Sequence, residues 1–197
     1  FDQIYDEHPH IFSVIALKSF LERNGLVIVR VDNIPVHGGS NRIWAQKEKV
    51  AKPDSSVEQN ITHEKIIGLN TFCTFDRFAE NVEDCKRDLH RLLTRCVDQG
   101  KKVVSYGATS KSTTVFNYCG IGPDLIQYIT DTTPEKQNKF SPGVHIPIVS
   151  PEGNFDDSVD FAFLGAWNFA EEIKKKEERF INRGGKFITH VPIVRFV

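Results

Sequence analysis

The sequence predicts an α/β protein built on a mostly parallel, doubly wound sheet flanked by helices, preceded by a helix and a strand pair. Two patterns carry this. From about residue 100 onward, short apolar runs ("KVVSYG", "LIQYITD", "IPIVS", "DFAFLGAW", "GKFITHV") alternate with helical stretches ("KSTTVFNYCG", "FAEEIKKKEERFINRG"), the order expected when each strand is followed by a crossover helix. Before that, one helical period is followed by two β-type runs around a glycine-bearing turn. The composition, 40% hydrophobic and 26% charged over 197 residues, suits a core-forming chain of one or two domains.

Taken in order, Val14, Leu17, Phe20 and Leu21 recur at helical spacing, with Ser13 placed to cap the start and Gly25 to end the helix. "LVIVRVD" is rich in β-branched residues and reads as a strand, "NIPVHGGSN" as a turn, and the alternating "RIWAQK" as a second strand. "EKVAKPDSSVEQN" is polar and carries Pro53 and two serines, so it reads as a linker. Beyond it Phe75, Phe78, Ala79, Val82, Cys85, Leu89, Leu92, Leu93 and Cys96 mark one face of a long helix that ends before Gly100. The aromatics of that face are expected in the core.

Charge excludes some functions. With 25 Lys and Arg against 26 Asp and Glu, the net charge of −1 provides no basic field for nucleic acid or an anionic membrane. No apolar run approaches the roughly 20 residues that span a bilayer, and none resembles a secretory signal, so neither a membrane nor a nucleic-acid partner is expected and the cytoplasm is the expected compartment. The four cysteines stand 12, 11 and 23 positions apart, which matches no zinc or redox spacing and predicts reduced, mostly buried thiols and no metal site. The chain contains no Met and opens on "FDQIYDEH", and it reads as the later part of a longer protein.

Three stretches carry groups capable of chemistry. "YGATSKS" lies between a predicted strand and a predicted helix, where open α/β sheets place ligands. Gly107 permits a tight turn, the amides of Ala108, Thr109 and the helix start around Lys111 can receive a phosphate, and Asp131 follows 24 residues later at the end of the next strand, where a ribose is often read. The same loop also fits a plain strand-to-helix turn. A single glycine fails the G-x-G-x-x-G form of dinucleotide sites, and Ser105 and Ser110 stand where a P-loop needs glycines. "HGGSNR" reads equally as a hairpin connection or a ligand contact. Tyr5, Glu7 and His8 gather a phenol, a carboxylate and an imidazole within four positions, a set suited to removing a proton beside a carbonyl, or else an exposed polar turn.

Taken together, "FDQIYDEHPHIFS", "HGGSNR", "YGATSKSTTVFNYCGIGPDLIQYITD", "KQNKFSPGVHIPIVSPE", "AWNFAEEI" and "RGGKFI" resemble, in this order along nearly the whole chain, the sugar C-methyltransferase family. The resemblance implies S-adenosylmethionine as methyl donor and a nucleotide-linked keto-deoxysugar, of the thymidine-diphosphate type, as substrate. It implies that residues 1–47 close a class I methyltransferase domain, that 48–70 form a linker, and that 71–197 form a Rossmann-like C-terminal domain. A zinc-binding segment and most of the adenosylmethionine site are expected upstream of this chain. By the same resemblance His8 is the base, Glu7 orients or assists it and Tyr5 donates a hydrogen bond, while Gly107, Ala108, Thr109, Lys111, Asn117 and Asp131 are candidate substrate contacts. The family commonly has glycine after the loop lysine where this chain has Ser112. The sequence leaves the oligomeric state open.

Overall fold

A computed structural model describes residues 1–197. Contacts group them into two compact units, residues 10–80 and residues 1–9 with 81–197.

The smaller unit holds helix α1 (Val14–Glu22), the antiparallel strands β1 (Leu26–Ile34) and β2 (Ser40–Lys47), and helix α2 (Ser55–Ile66). Ser13 caps α1 as expected, its hydroxyl accepting from the Ala16 amide. The hairpin pairs Leu26 with Lys47 through to Ile34 with Ser40, and Gly38 and Gly39 turn the chain at φ +89° and +122°, which favours the hairpin reading of "HGGSNR". Helix α2 lies within the segment expected as a linker. Asp54 caps it, and Val57 and Ile61, four residues apart in an otherwise polar segment, are buried against Val14, Ile28 and Val31. Three turns of helix were hidden because only one narrow stripe is apolar. Glu64 of α2 is buried, and its two carboxylate oxygens accept from the Val14 and Ile15 amides at 2.7 and 2.8 Å, so one helix caps the other.

In the larger unit, strands β3 (Val103–Tyr106), β4 (Ile129–Thr130), β6 (Pro147–Val149), β7 (Phe161–Leu164) and β8 (Lys186–Thr189) run parallel, with β5 (Lys139–Phe140) and β9 (Arg195–Phe196) antiparallel at the two edges. The order β5-β6-β4-β3-β7-β8-β9 reverses at β3, the arrangement of a Rossmann-like sheet. Helices α3 (Phe72–Asp98) and α4 (Ser110–Cys119) contribute Leu89, Leu93, Cys96, Val115 and Phe116 to one core layer; α5 (Ala170–Lys176) and α6 (Glu178–Asn182) contribute Ile173 and Phe180 to the other. Strand β3 lies between them with Val103, Val104 and Ser105 fully buried, as a central parallel strand must.

Three local expectations are corrected. Phe75 and Phe78 are about half exposed, because the apolar cluster under α3 is reached only by its later turns. The expected strand "LIQYITD" pairs over just Ile129 and Thr130. The single expected last helix is two, broken at Glu177, whose carboxylate takes the Tyr106 hydroxyl at 2.7 Å. All four cysteines are free, with Cys96 and Cys119 buried, Cys85 partly so and Cys73 exposed. No helix is long and apolar enough to cross a membrane.

Candidate functional site

Two constructions meet the carboxyl ends of the strands in the larger unit. The first is the loop from β3 into α4. Gly107 sits at φ +95°, a conformation that favours glycine, and its amide donates to the Thr130 carbonyl at 2.8 Å. The Ala108 amide donates to Asp131 Oδ2 at 2.8 Å. The Thr109 amide donates to Ser112 Oγ, the Ser112 amide to Thr109 Oγ1, both at 3.0 Å, and Thr109 Oγ1 donates to the Gly165 carbonyl at 2.6 Å. Thr109 and Ser112 are therefore a reciprocal capping box at the start of α4. The residue that departs from the family pattern, Ser112, closes the loop with its own hydroxyl.

Asp131 is the loop's outer clasp. Its Oδ1 accepts from the Thr133 amide at 2.9 Å, and Lys136 Nζ lies 3.3 Å from Oδ2 and donates to the Ala108 carbonyl at 2.8 Å. Burial pushes the Asp131 carboxyl up, but the bonds from Thr133 and Ala108 and the Lys136 charge outweigh it and hold the group below its ordinary value. A cavity of about 290 Å³ opens beside this loop, walled by Tyr106, Gly107, Asp131, Ala166, Phe169 and Lys176. That is the switch point where strand order reverses, and its size is near the lower end of small-molecule sites, on the order of 300 Å³. Burial, with the hydrogen bond and charge of Glu177, pushes the Tyr106 phenol far above its ordinary value, so it remains a hydroxyl.

Of the six candidate contacts, Gly107, Ala108, Thr109 and Asp131 thus form one hydrogen-bonded loop, and Gly107 and Asp131 line the cavity. Lys111 is buried in the first turn of α4. Asn117 is turned to the segment after β5, its amide donating to the Pro142 and Thr113 carbonyls at 3.0 and 2.8 Å, and a Cβ on Gly143 would collide with it.

The second construction is the turn at residues 1–9. His8 Nδ1 lies 3.1 Å from the Gln3 carbonyl, and the His8 amide donates to the Tyr5 carbonyl at 2.8 Å. A carbonyl only accepts, so Nδ1 carries the proton and Nε2 is left as the basic nitrogen. The Tyr5 hydroxyl stands 3.4 Å from Nε2, with the two rings 4.3 Å apart. Glu7 is exposed, and the bond to the imidazole comes from the Gln3 backbone. Slight burial, with the charges of Glu7 and Asp2, raises the Tyr5 phenol and keeps it a donor.

The turn is fastened to the domain. Trp167 Nε1 donates to Asp2 Oδ2 at 2.5 Å, His190 Nε2 lies 3.3 Å from the same oxygen, and Thr114 Oγ1 donates to the Ile4 carbonyl at 3.3 Å. Asp2, Trp167 and His190 were not among the candidates, although Asp2 and Trp167 lie in stretches that carry the family resemblance. A partner 165 positions away leaves no local signal.

The glycine-bearing loop from β3 into α4 has its Ala108 and Thr109 amides occupied by Asp131 and Ser112. No group of three or more His, Cys, Asp or Glu could hold a metal ion.

The parallel sheet, its flanking helices and the cavity at its switch point define the class as a Rossmann-like α/β domain. Within that class the chain belongs to the C-methyltransferase C-terminal domain family, whose model matches residues 35–192. It is similar to the C-methyltransferase NovU of Streptomyces niveus, with 35% identity over 200 residues that cover 100% of this chain and 47% of NovU. The chain thus spans about half the length of that curated relative.

Proposed function

We propose that this chain is the C-terminal portion of an S-adenosylmethionine-dependent C-methyltransferase acting on a nucleotide-linked keto-deoxysugar, of the thymidine-diphosphate type. The observation that carries the reading is the His8 imidazole, held at Nδ1 by a backbone carbonyl with Nε2 facing the Tyr5 hydroxyl. Such a nitrogen removes a proton from the carbon next to a ketone. The C–H electron pair moves into the ring as the carbonyl becomes an enolate, and the proton stays on Nε2. Tyr5, kept protonated, donates to the developing oxyanion as its hydroxyl turns away from the imidazole. Glu7, exposed beside the pair, stays in the proposal as an assisting charge. S-adenosylmethionine, bound mostly by residues outside this chain, would supply the sulfonium methyl group for the enolate carbon, the C–S electron pair staying on the sulfur of the departing S-adenosylhomocysteine.

The similarity to a C-methyltransferase supports transfer to carbon, for which an adjacent ketone makes the carbon acidic. The switch-point cavity, with Gly107 and Asp131 in its wall, is the proposed place for part of the nucleotide sugar, and the bonds of Ala108 and Thr109 brace that wall; Lys111 and Asn117 stay in the proposal as more distant contacts. A zinc-binding segment belongs to the same proposal and to residues outside this chain. A second reading, in which the C-terminal domain only walls the cleft, draws on the internal bonding of the loop amides. A nicotinamide enzyme fits less well, since Asp131 is occupied by the loop and Lys136 rather than left for a ribose.

The test is to incubate the full-length protein in D2O with a thymidine-diphosphate-linked 4-keto-6-deoxyhexose and no adenosylmethionine. Deuterium appearing at the carbon beside the ketone, and lost in His8→Asn, is the expected result. Equal exchange by His8→Asn and the unaltered protein overturns the role of His8. Calorimetry with thymidine diphosphate, adenosylmethionine and NAD in parallel separates the readings of the domain, since selective binding of NAD overturns the transferase.

A further inference from the structure

The turn at residues 1–9 has no helix or strand of its own, so side-chain ties to the domain fix its conformation. Its buried tie is a carboxylate. Asp2 and His190 are each 4% exposed, in a pocket where an apolar side chain would cost less to bury. Asp2 accepts the Trp167 indole N–H at 2.5 Å. His190 Nε2 lies 3.3 Å from the same carboxylate but makes no directed hydrogen bond to it. Phe1 packs on Tyr118 and His190 with ring centroids 5.6 and 5.9 Å away.

The tie leads directly to the imidazole. Gln3, the residue after Asp2, presents the carbonyl that accepts from both the Tyr5 amide at 3.2 Å and His8 Nδ1 at 3.1 Å. One peptide unit therefore separates the buried anchor from the group that fixes the His8 tautomer. At the other end, Trp167 follows Ala166, a wall residue of the switch-point cavity, in the segment after β7. We propose that Asp2 is the positioning residue of the reaction, gripped by Trp167 so that the Gln3 carbonyl holds the His8 imidazole in register with the cavity wall. The inference rests on the reading of His8 as the base. A misplacement of about 1 Å in a reacting group can cost on the order of a hundredfold in rate, which is why such an anchor matters.

The experiment compares Asp2→Ala, Asp2→Asn and Trp167→Phe in the full-length protein by kinetics and by backbone amide exchange. Asp2→Ala is expected to lower kcat by about thirtyfold with KM changed by less than about threefold, since the base is misplaced rather than the substrate site lost. The amides of Tyr5 and His8 should exchange roughly tenfold faster while those of β3 and β7 keep their protection. Asp2→Asn, which retains an oxygen for Trp167, should recover most of kcat, and Trp167→Phe should fall between the two. Unchanged exchange at Tyr5 and His8 in Asp2→Ala overturns the proposal whatever the kinetics. So does faster exchange throughout β3 and β7, because Asp2 would then be a residue of general stability. If His8→Asn keeps full activity, the base assignment fails on its own, and the exchange data still report whether Asp2 pins the turn.

Discussion

The loop after β3 and the turn at residues 1–9 satisfy their polar groups in opposite ways. In the loop, the amides of Gly107, Ala108, Thr109 and Ser112 all end on acceptors supplied by the domain itself. In the turn, the bonds converge on one nitrogen of His8 and leave the other as an acceptor facing a phenol. Those four matched amides make this part of the loop a stiff wall. A region that keeps one basic atom available beside a donor is equipped for proton transfer. The glycine-bearing loop looks more like an active site in sequence, but it is to the polar turn that we assign the proposed proton transfer.

The largest expected effect breaks the comparison on the side of the turn. His8→Asn in the full-length protein should lower kcat by about a thousandfold, within the usual range for a general base, with little change in thermal midpoint. Steady-state kinetics alongside calorimetry checks both halves; a loss of folding would make His8 structural. On the side of the loop, Asp131→Ala removes acceptors from the Ala108 and Thr133 amides and a partner from Lys136. Its cost should appear as stability, about 1–3 kcal/mol in denaturant unfolding.

Ser112→Gly, which installs the residue common in the family, deletes one half of the capping box. It should cost about 1 kcal/mol while leaving the Ala108 bond to Asp131 intact. The smallest effect is one of pH. Asp131 is held below its ordinary 3.8 in the folded protein, so its contribution is fully present above the unfolded value and is lost as pH falls through the folded one. The difference in midpoint between Asp131→Asn and the unaltered protein should be flat from about pH 5 to 8 and shrink below about pH 4.

Much of this architecture was legible because periodicity encodes it. The alternation after residue 100 gave the parallel strands and α4, and the Ser13 cap and Gly25 bounded α1 within a few residues. What escaped had no period to detect. Strands β5 and β9 are two residues each, and they exist because an edge was there to pair with. Helix α2 carries its apolar signal on Val57 and Ile61 alone. The site divides likewise. Gly107 and Asp131 could be placed by their spacing from predicted strands, and Tyr5 and His8 by their chemistry. The grip of Trp167 on Asp2 is a tertiary contact that no window of sequence contains.

The bidentate cap that Glu64 places on Val14 and Ile15 determines where the smaller unit tolerates being cut. A designed terminus at residue 47 would discard α2, take the Glu64 carboxylate from the α1 amides and expose Val14, Ile28 and Val31 to water. A terminus beyond Leu69, whose amide donates to the Glu64 carbonyl, keeps that helix pair whole. Limited digestion should therefore spare residues 55–66, the very stretch whose composition advertises an easy target.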